Sequence, residues 1–350
     1  MFFSSKKVLG LDIGSSSIKL AELTLSKNGA TVDNFTLIQS PQSALNSGEI
    51  TDPILVAETI KAAFKESGFK NKQVCVGLSG TAVIVKKISM PQALGKDIME
   101  QVRYEAAQYL PFDINQVTLD FHRLKLASSS PENMDLLIVA AQNEFILNYM
   151  QSVQQAGLKC VILDVNSLAL ANIFELNYGQ TDEPVAIFNF GSSLTNFLVL
   201  YQGEVIFSRD IPVGGFHFTN EISKNMGVTF EEAEALKISQ GQSNEVPEET
   251  RTFMNMALDY VTEEIRNSID FYSASSNGLS LSKAYYTGGA SLTAGLVDHL
   301  NESLKIPFEA FDPYIRIRPG SKKLNPAYLQ QVAPFVSVVL GLAMREAGKK

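Results

Sequence analysis

An α/β fold of two similarly built lobes, with a small βαββα unit set into the first, is what this sequence predicts. The expectation starts at Val8 to Leu23, VLGLDIGSSSIKLAEL, where an apolar run carries Asp12 at its end, breaks into Gly14-Ser15-Ser16-Ser17 and resumes with Ile18, Leu20 and Leu23. That is a strand, a tight polar turn and a returning strand. The wording then recurs. FNFGSSLTNFLVL from Phe188 superimposes without a gap on LDIGSSSIKLAEL from Leu11, setting Asn189 on Asp12, Gly191 on Gly14, Ser192 and Ser193 on Ser15 and Ser16, and Thr195 on Ile18. The offset of 177 residues is about half of the 350, the spacing of a duplicated architecture closing on one ligand from both sides. Between the hairpins, from about 82 to 156, the pattern changes to strand, helix, two strands and a helix, a unit placed inside the larger domain.

Each hairpin turn carries the groups an anion needs. Gly14 lacks a Cβ, so main chain can come close to a ligand, and the hydroxyl residues around it add donors to a run of N–H groups that favours negative charge. A phosphate is the natural occupant. Asp12 could hold a divalent cation through water, and Lys19 puts a mobile positive charge within reach of the same group. Taken alone, the segment reads equally as a β-hairpin whose Gly and Ser only make the turn. Its recurrence at Gly191, Ser192, Ser193 and Thr195 favours the phosphate. Neither GxGxxG nor GxxxxGK[ST] occurs, and a strand follows the turn where those motifs need a helix.

Composition removes several classes of function. With 45% hydrophobic and 19% charged residues the chain is ordinary globular protein, long enough for two cores. The net charge is -8 and the basic residues fall in scattered pairs, so a nucleic-acid footprint is missing. The one basic cluster, Arg316, Arg318, Lys322 and Lys323, reads as a solvated face or a site for anionic lipid or an acidic partner. Cys75 and Cys160 are isolated in apolar runs, which proposes buried thiols in a reducing compartment and no metal or redox pair. His122, His217 and His299 stand alone, without GxSxG or HExxH, and leave hydrolase triads and zinc chemistry unsupported. MFFSSKK is too short for a signal peptide, and the apolar run Ala333 to Met344 is interrupted by Ser337 and Gly341 and falls short of a span. A cytoplasmic protein reaching the membrane only through partners is expected.

Element by element, strand Val32 to Ile38 follows the first hairpin, and Asp52-Pro53 opens a helix running to Ser67-Gly68. Val74 to Leu78 is a buried strand. The inserted unit reads as strand Val83 to Ile88, a Met90-Pro91 break, and a helix from about Lys96 to Leu110 stopped by Pro111. Strand Val117 to Leu126, a polar loop Ser128 to Pro131, strand Leu136 to Ala141 and a helix from Glu144 complete it. Lys159 to Leu163 returns to the main sheet; Asp164 then caps helix Ser167 to Leu176 or faces the phosphates. Thr181 to Pro184 is a turn and hinge.

The second half runs through strand Val185 to Phe190, strand Thr195 to Tyr201, a Gln202-Gly203 turn, strand Glu204 to Ile211, and a helix Phe218 to Met226 ended by Gly227. Thr229 and Glu232 form a capping box for TFEEAEALK, on which Glu234 and Lys237 share a face, as an ordinary surface ion pair would. After the polar loop Gln240 to Thr250, a helix Arg251 to Ser273 turns Phe253, Met256, Leu258, Val261, Ile265, Ile269 and Phe271 to the core. Strand Ala284 to Thr287 enters Gly288-Gly289-Ala290-Ser291 and a helix Leu292 to Leu304, a turn where main chain can pass under a flat ring and a helix N-terminus suits an anion. Pro334 to Ala347 is the closing helix.

Asp12-x-Gly-Ser with Lys19 resembles the first phosphate loop of the actin-like ATPase superfamily, and Asn189-x-Gly-Ser-x-x-Thr195 resembles the second. ISMP followed by Ile98 to Glu105, and AAQYLPFDINQVTLDF, resemble the PilM family of type IV pilus assembly, over nearly the whole chain. The resemblance implies a two-lobed actin-like ATPase with duplicated ribonuclease-H-like lobes. The first would take 1–81, 157–184 and 332–350, and the FtsA/PilM-type subdomain 82–156. The second would take 185–215 and 283–331, and a helical nucleotide-binding subdomain 216–282.

It also implies ATP and Mg²⁺ as cofactors. Asp12, Gly14, Ser15, Ser16, Lys19, Gly191, Ser192, Ser193 and Thr195 would surround the phosphates, with Asp12 and Asn189 toward the metal. Glu234 and Lys237 would flank ribose and adenine, and Gly288, Gly289 and Ser291 would form the adenosine motif. Asn189 departs from the Asp of many members: its amide lacks the charge that orders metal-bound water, so ATP binding with slow or negligible hydrolysis is expected, without a catalytic residue. The implied role is a scaffold that couples nucleotide state to capture of the N-terminal peptide of a PilN-like inner-membrane protein, with assembly ATPases and the platform protein as further partners. The groove between the small subdomain and the first lobe is the expected place, with Tyr109, Leu110, Pro111 and Phe112 as candidates. An FtsA-like division or filament-forming homologue and a sugar or acid kinase are the alternatives. The kinase would need a further catalytic carboxylate, and the FtsA-like protein a membrane-targeting tail where only Gly348-Lys349-Lys350 follow the last helix.

Overall fold

The computed structural model describes residues 6–41, 44–92, 98–126, 130–240, 247–276, 279–321 and 324–347. After a two-residue strand β1 (Lys6–Lys7), the first hairpin and the strand that follows it form an antiparallel meander: β2 (Leu9–Ile13), β3 (Ser17–Ser26) and β4 (Gly29–Gln39). Strict opposition places Asp12 across from Lys19. A small hairpin, β5 (Leu45–Asn46) with β6 (Glu49–Ile50), precedes α1 (Pro53–Glu66), whose Asp52 accepts from the Ile54 and Leu55 N–H groups with proline in the first turn. β7 (Gln73–Leu78) then adds parallel to β2.

The inserted unit is a three-stranded antiparallel sheet, β8 (Val83–Pro91), β9 (Val117–Arg123) and β10 (Asn133–Gln142), with β10 central, covered by α2 (Ile98–Ala107). Its own core holds Ile88, Met90, Val102, Ala106, Leu136 and Ile138. The expected break at Met90-Pro91 is instead strand: Met90 pairs with Met134 and Pro91 with Asn133. A proline is tolerated there because β8 is an edge strand whose end asks for no donor. The start of the α2 prediction (96–97) and part of the polar loop (128–129) lie outside the described residues. The following helix, α3 (Asn143–Gln155), grouped with this unit on pattern, sends Phe145, Ile146, Tyr149 and Val153 into the core of the first lobe.

β11 (Lys159–Val165) pairs parallel with β7, and α4 (Asn166–Tyr178) leads to the second half. There β12 (Val185–Phe190), β13 (Thr195–Tyr201) and β14 (Glu204–Ile211) repeat the antiparallel meander. Three helices follow, α5 (Gly215–Met226), α6 (Phe230–Gln240) and α7 (Glu248–Ser275). β15 (Lys283–Thr287) adds parallel to β12, and after α8 (Leu296–Leu304) β16 (Phe308–Ala310) adds parallel to β15. The strand orders are therefore the same in both lobes: β11-β7-β2-β3-β4 in the first, β16-β15-β12-β13-β14 in the second. A three-strand meander followed by two parallel additions, twice, is the duplication read from the two hairpins.

Several expectations change. On α7, Met256 and Phe271 are exposed, while Met254, Ala257 and Tyr272 join Leu258, Val261, Ile265 and Ile269 inside; the buried stripe is rotated from the one read by counting large side chains. The helix expected from Leu292 begins only at Leu296, because Gly289–Leu292 forms a tight 3₁₀ turn first. β17 (Ile317–Pro319), in the stretch assigned to the second lobe, pairs with β4 of the first. Arg318 lies on it and Arg316 immediately precedes it; Lys322 and Lys323 are outside the described residues.

The closing helix is α9 (Pro326–Ala343), which starts eight residues earlier than expected and carries Pro334 inside. β18 (Glu346–Ala347) then pairs with β1. By length and composition α9 could cross a membrane, but 336–343 is buried with α4 in the core shared by both sheets, so its apolar character serves packing.

Both cysteines are free thiols. Burial pushes the Cys75 thiol far above its ordinary range and Cys160 up to about 11, the latter against a backbone hydrogen bond at Ile162 that favours the thiolate. At pH 8 iodoacetamide is expected to leave both unlabelled in the folded chain, with thiolate at Cys160 about a hundredfold scarcer than on a free thiol. Mass spectrometry before and after urea unfolding checks this; rapid labelling of folded Cys75 would contradict it.

Candidate functional site

A cleft of about 570 Å³ opens between the lobes. One wall is the turn between β2 and β3, and the other is the matching turn between β12 and β13. Each turn is closed by the same backbone bond, Gly14 N–H to the Ser17 carbonyl at 3.1 Å and Gly191 N–H to the Leu194 carbonyl at 2.9 Å. The loops meet across the cleft, where the Ser15 and Ser193 hydroxyls are hydrogen-bonded at 2.7 Å. Asp12, Gly14, Ser15, Ser16 and Lys19 line the first wall, and Asn189, Gly191, Ser192 and Ser193 the second.

The walls differ in charge at equivalent positions. Lys19 Nζ lies 3.0 Å from Asp12 Oδ2, with both side chains about nine-tenths buried. In the second hairpin Asn196 occupies the position of Lys19, and Asn189 Nδ2 donates to its Oδ1 at 2.8 Å. An ion pair in one lobe thus faces an amide pair in the other. Thr195 does not reach the cleft: side chains alternate along a strand, and with Asn196 on the cleft side Thr195 is fully buried on the other, donating to the Val213 carbonyl at 2.8 Å. Its counterpart Ile18 is likewise a core residue.

The third wall comes from α5 and α6. The capping box at Thr229 and Glu232 forms as expected, with Glu232 accepting from the Thr229 N–H at 2.9 Å and Thr229 Oγ1 from the Glu232 N–H at 3.2 Å. It sets α6 so that Glu234 and Lys237 both line the cleft. They are no surface pair. Lys237 is buried, its ammonium bonded to Glu234 Oε2 at 2.7 Å, Thr219 Oγ1 at 3.0 Å and the Gly215 carbonyl at 3.2 Å. Burial pulls its pKa below the ordinary lysine range, and Glu234 opposes that shift.

Gly288 and Gly289 line the end of the cleft with Ala290, opposite Pro334 and Phe335 of α9. Ser291 does not line it: its hydroxyl turns back to the Gly288 carbonyl at 2.7 Å and is buried, because the 3₁₀ turn curls the chain inward there. Asp164 is also outside the cleft. It neither caps α4 nor faces the loops but pairs with Arg345 at 3.3 Å, while Asn166 takes the cleft position. Ser79 and Asn196 line it too, and were not singled out in the sequence; carrying the gapless hairpin superposition one residue past Thr195 would have matched Asn196 to Lys19.

Elsewhere, Leu110 and Phe112 pack in the core of the inserted unit. Tyr109 and Pro111 stay exposed, with the Lys86 ammonium 4.6 Å above the Tyr109 ring.

Two duplicated lobes with one strand order, closing on a cleft between matched polar turns, define the actin-like ATPase fold. The chain belongs to the PilM family: the family model for type IV pilus assembly protein PilM matches residues 10–347. A solved PilM–PilN type IV pilus biogenesis complex contains a chain 28% identical to this one, with a TM-score of 0.87 over 97% of this chain and 98% of that one. The ethanolamine utilization protein EutJ from Carboxydothermus hydrogenoformans shares the fold, at 16% identity and a TM-score of 0.55 over 97% of this chain and 89% of its own. Cell division protein FtsA of Bacillus subtilis is 23% identical over 75% of this chain and 66% of FtsA. The chain spans roughly three fifths of the curated FtsA relatives it matches, from 55% to 66%.

Proposed function

We propose that this chain is an ATP-binding scaffold of type IV pilus assembly, which captures the N-terminal peptide of a PilN-like membrane protein and reaches the inner membrane through it. The observation that carries the nucleotide reading is the meeting of two like-built turns at Ser15 and Ser193, 2.7 Å apart and from opposite lobes. Their hydroxyl and N–H donors, with Lys19 beside them, suit an anion gripped from both sides. A Cβ at Gly191 would fall 2.6 Å from the Leu194 carbonyl, so the second turn can close this tightly only as glycine.

Magnesium fits the same donor set. Among the described residues no three His, Cys, Asp or Glu side chains cluster as a metal cage, and Asp12 is the carboxylate beside the turns. That suits a cation carried mostly by phosphate and water, as magnesium is. Bound there, it would supply charge neutralisation; Asp12 and Asn189 would orient its water, Lys19 the phosphates, and Glu234 with Lys237 the ribose side, under the turn at Gly288 and Gly289.

Asn189 brings no charge to the second wall, so binding without fast turnover is the reading. A PilN-like partner is supported by family membership and by the PilM–PilN complex that the chain resembles; of the expected groove residues, Tyr109 and Pro111 remain available at the surface. Assembly ATPases and the platform protein are proposed as further partners. Calorimetry with ATP and Mg²⁺, phosphate release, and capture by the immobilised N-terminal peptide of the PilN-like protein test the reading together. ATP binding, peptide capture and turnover below about 1 s⁻¹, under the usual kinase range, are expected. Turnover well inside that range, or no ATP binding at saturation, would overturn the nucleotide part, and a peptide that is never captured the scaffold part.

A further inference from the structure

Beside the cleft a polar network joins the two lobes, with Asp210 of β14 at its centre. One carboxylate oxygen of Asp210 accepts from Asn196 Nδ2 at 2.7 Å. The other accepts from the Ser79 hydroxyl at 2.9 Å and the Gly80 N–H at 2.6 Å. Asn196 Nδ2 also donates to Ser79 Oγ at 2.8 Å, so both its hydrogens are committed on that side. Its oxygen then faces the opposite way, where it accepts from Asn189 Nδ2 at 2.8 Å.

The direction of this chain of bonds is set by chemistry. A carboxylate only accepts and a backbone N–H only donates. Three donors aimed at Asp210 therefore describe a carboxylate, even though burial pushes its pKa up against the hydrogen bonds that pull it down. With Asp210 fixed as acceptor, Asn196 must present its NH₂ to it and its oxygen to Asn189. Asn189 must then spend its NH₂ on Asn196, which leaves its Oδ1 as the atom that side chain offers to the cleft it lines. Ser79 and Gly80 follow β7 in the first lobe, whereas Asn196 and Asp210 belong to the second. The same carboxylate thus orients the amide and ties the lobes.

We propose that Asp210 is a positioning residue for the cleft: through Asn196 it turns the Asn189 oxygen toward the ligand, and it does so while docked on Ser79 and Gly80 of the opposite lobe. An acceptor held in that orientation is what a cation or its water needs; an NH₂ group there would repel it. This proposal rests on the nucleotide reading of the cleft.

Asp210→Asn in the full chain tests it. The substitution keeps the shape, but its NH₂ must face either the Gly80 N–H or Asn196 Nδ2, both donors. Without nucleotide, the side-chain NH₂ signals of Asn189 and Asn196 in NMR are expected to lose protection from solvent exchange by about tenfold or more. With ATP in calorimetry, the gain in affinity on adding Mg²⁺ is expected to shrink by about tenfold or more, with Mg²⁺-free affinity within about threefold of wild type. Unchanged protection overturns the proposal, and so does lost protection with the Mg²⁺ gain intact, since the network would then be structural only. If the wild type binds no ATP, the nucleotide reading fails while the NH₂ signals still decide whether Asp210 orients Asn189. Should Asp210→Asn not fold, Ser79→Ala, which removes one donor to Asp210 and one acceptor from Asn196, is expected to show both losses at smaller size; their absence overturns the proposal as well.

Discussion

Gly341→Val is expected to abolish cooperative folding, and even Gly341→Ala to cost about 3 kcal/mol or more, the upper end of overpacking effects. A Cβ at this position would lie 2.0 Å from the Ala169 carbonyl oxygen and 2.6 Å from its carbon. Those are backbone atoms of α4, so no side chain can rotate out of the way. Nor can α9 retreat on its other side, where a Cβ at Gly10 of β2 would meet the Val339 carbonyl at 2.2 Å. The helix is held main chain to main chain between a strand and a helix, and moving it would open the core that spans both sheets. Domains of this kind are stable by only about 5–15 kcal/mol, so the valine effect is of the order of the whole. Urea unfolding followed by circular dichroism measures it; a valine variant with a wild-type midpoint would show that α9 is not clamped in this way.

Lys19→Ala and Asp12→Ala are expected to weaken ATP binding in different ways. Lys19 supplies positive charge beside the first turn, and removing it leaves Asp12, 6% exposed, without its partner at 3.0 Å and facing the phosphates as a like charge. Affinity should fall with or without Mg²⁺ by about 10- to 150-fold, the size of one lost hydrogen bond to a charged group. Asp12→Ala frees the lysine and removes the carboxylate proposed to face Mg²⁺, so its loss, about tenfold or more, should be confined to titrations containing Mg²⁺. Calorimetry with and without EDTA separates the two patterns. Equal losses in both variants under both conditions would mean that the pair acts as a structural unit and does not divide phosphate and metal between its members.

The hairpins were legible in the sequence because a turn between two apolar runs is a local signal, and the capping of α1 and α6 was legible for the same reason. The α7 stripe was misjudged by taking large side chains as buried ones: Phe271 is exposed while Ala257 is fully buried, since the neighbours that cover a helix are not written in it. The spacing of Glu234 and Lys237 alone suits an ordinary helix surface, and only the resemblance directs them to the nucleotide; whether that surface meets solvent or a cleft beside α5 depends on another element. Thr195 and Ser291 were assigned to the cleft from their place in a motif, although strand alternation at the one and a 3₁₀ turn at the other aim them inward. Ser79 and Asp210 carry no local mark, and the bond between them joins residues 131 apart; Asn196 is marked only by its match to Lys19 in the repeated hairpin.

By itself the sequence determined the duplication, the inserted unit, and the hydroxyl and glycine chemistry of two turns that suit one anion, since these follow from short-range pattern and from repetition along the chain. The tertiary structure alone decided that the turns meet at Ser15 and Ser193, that Asp164 belongs to Arg345, that β17 crosses back to the first sheet, and which way the Asn189 amide faces. Each of those depends on which acceptors and donors the fold brings within about 3 Å, a distance that separation along the chain does not predict.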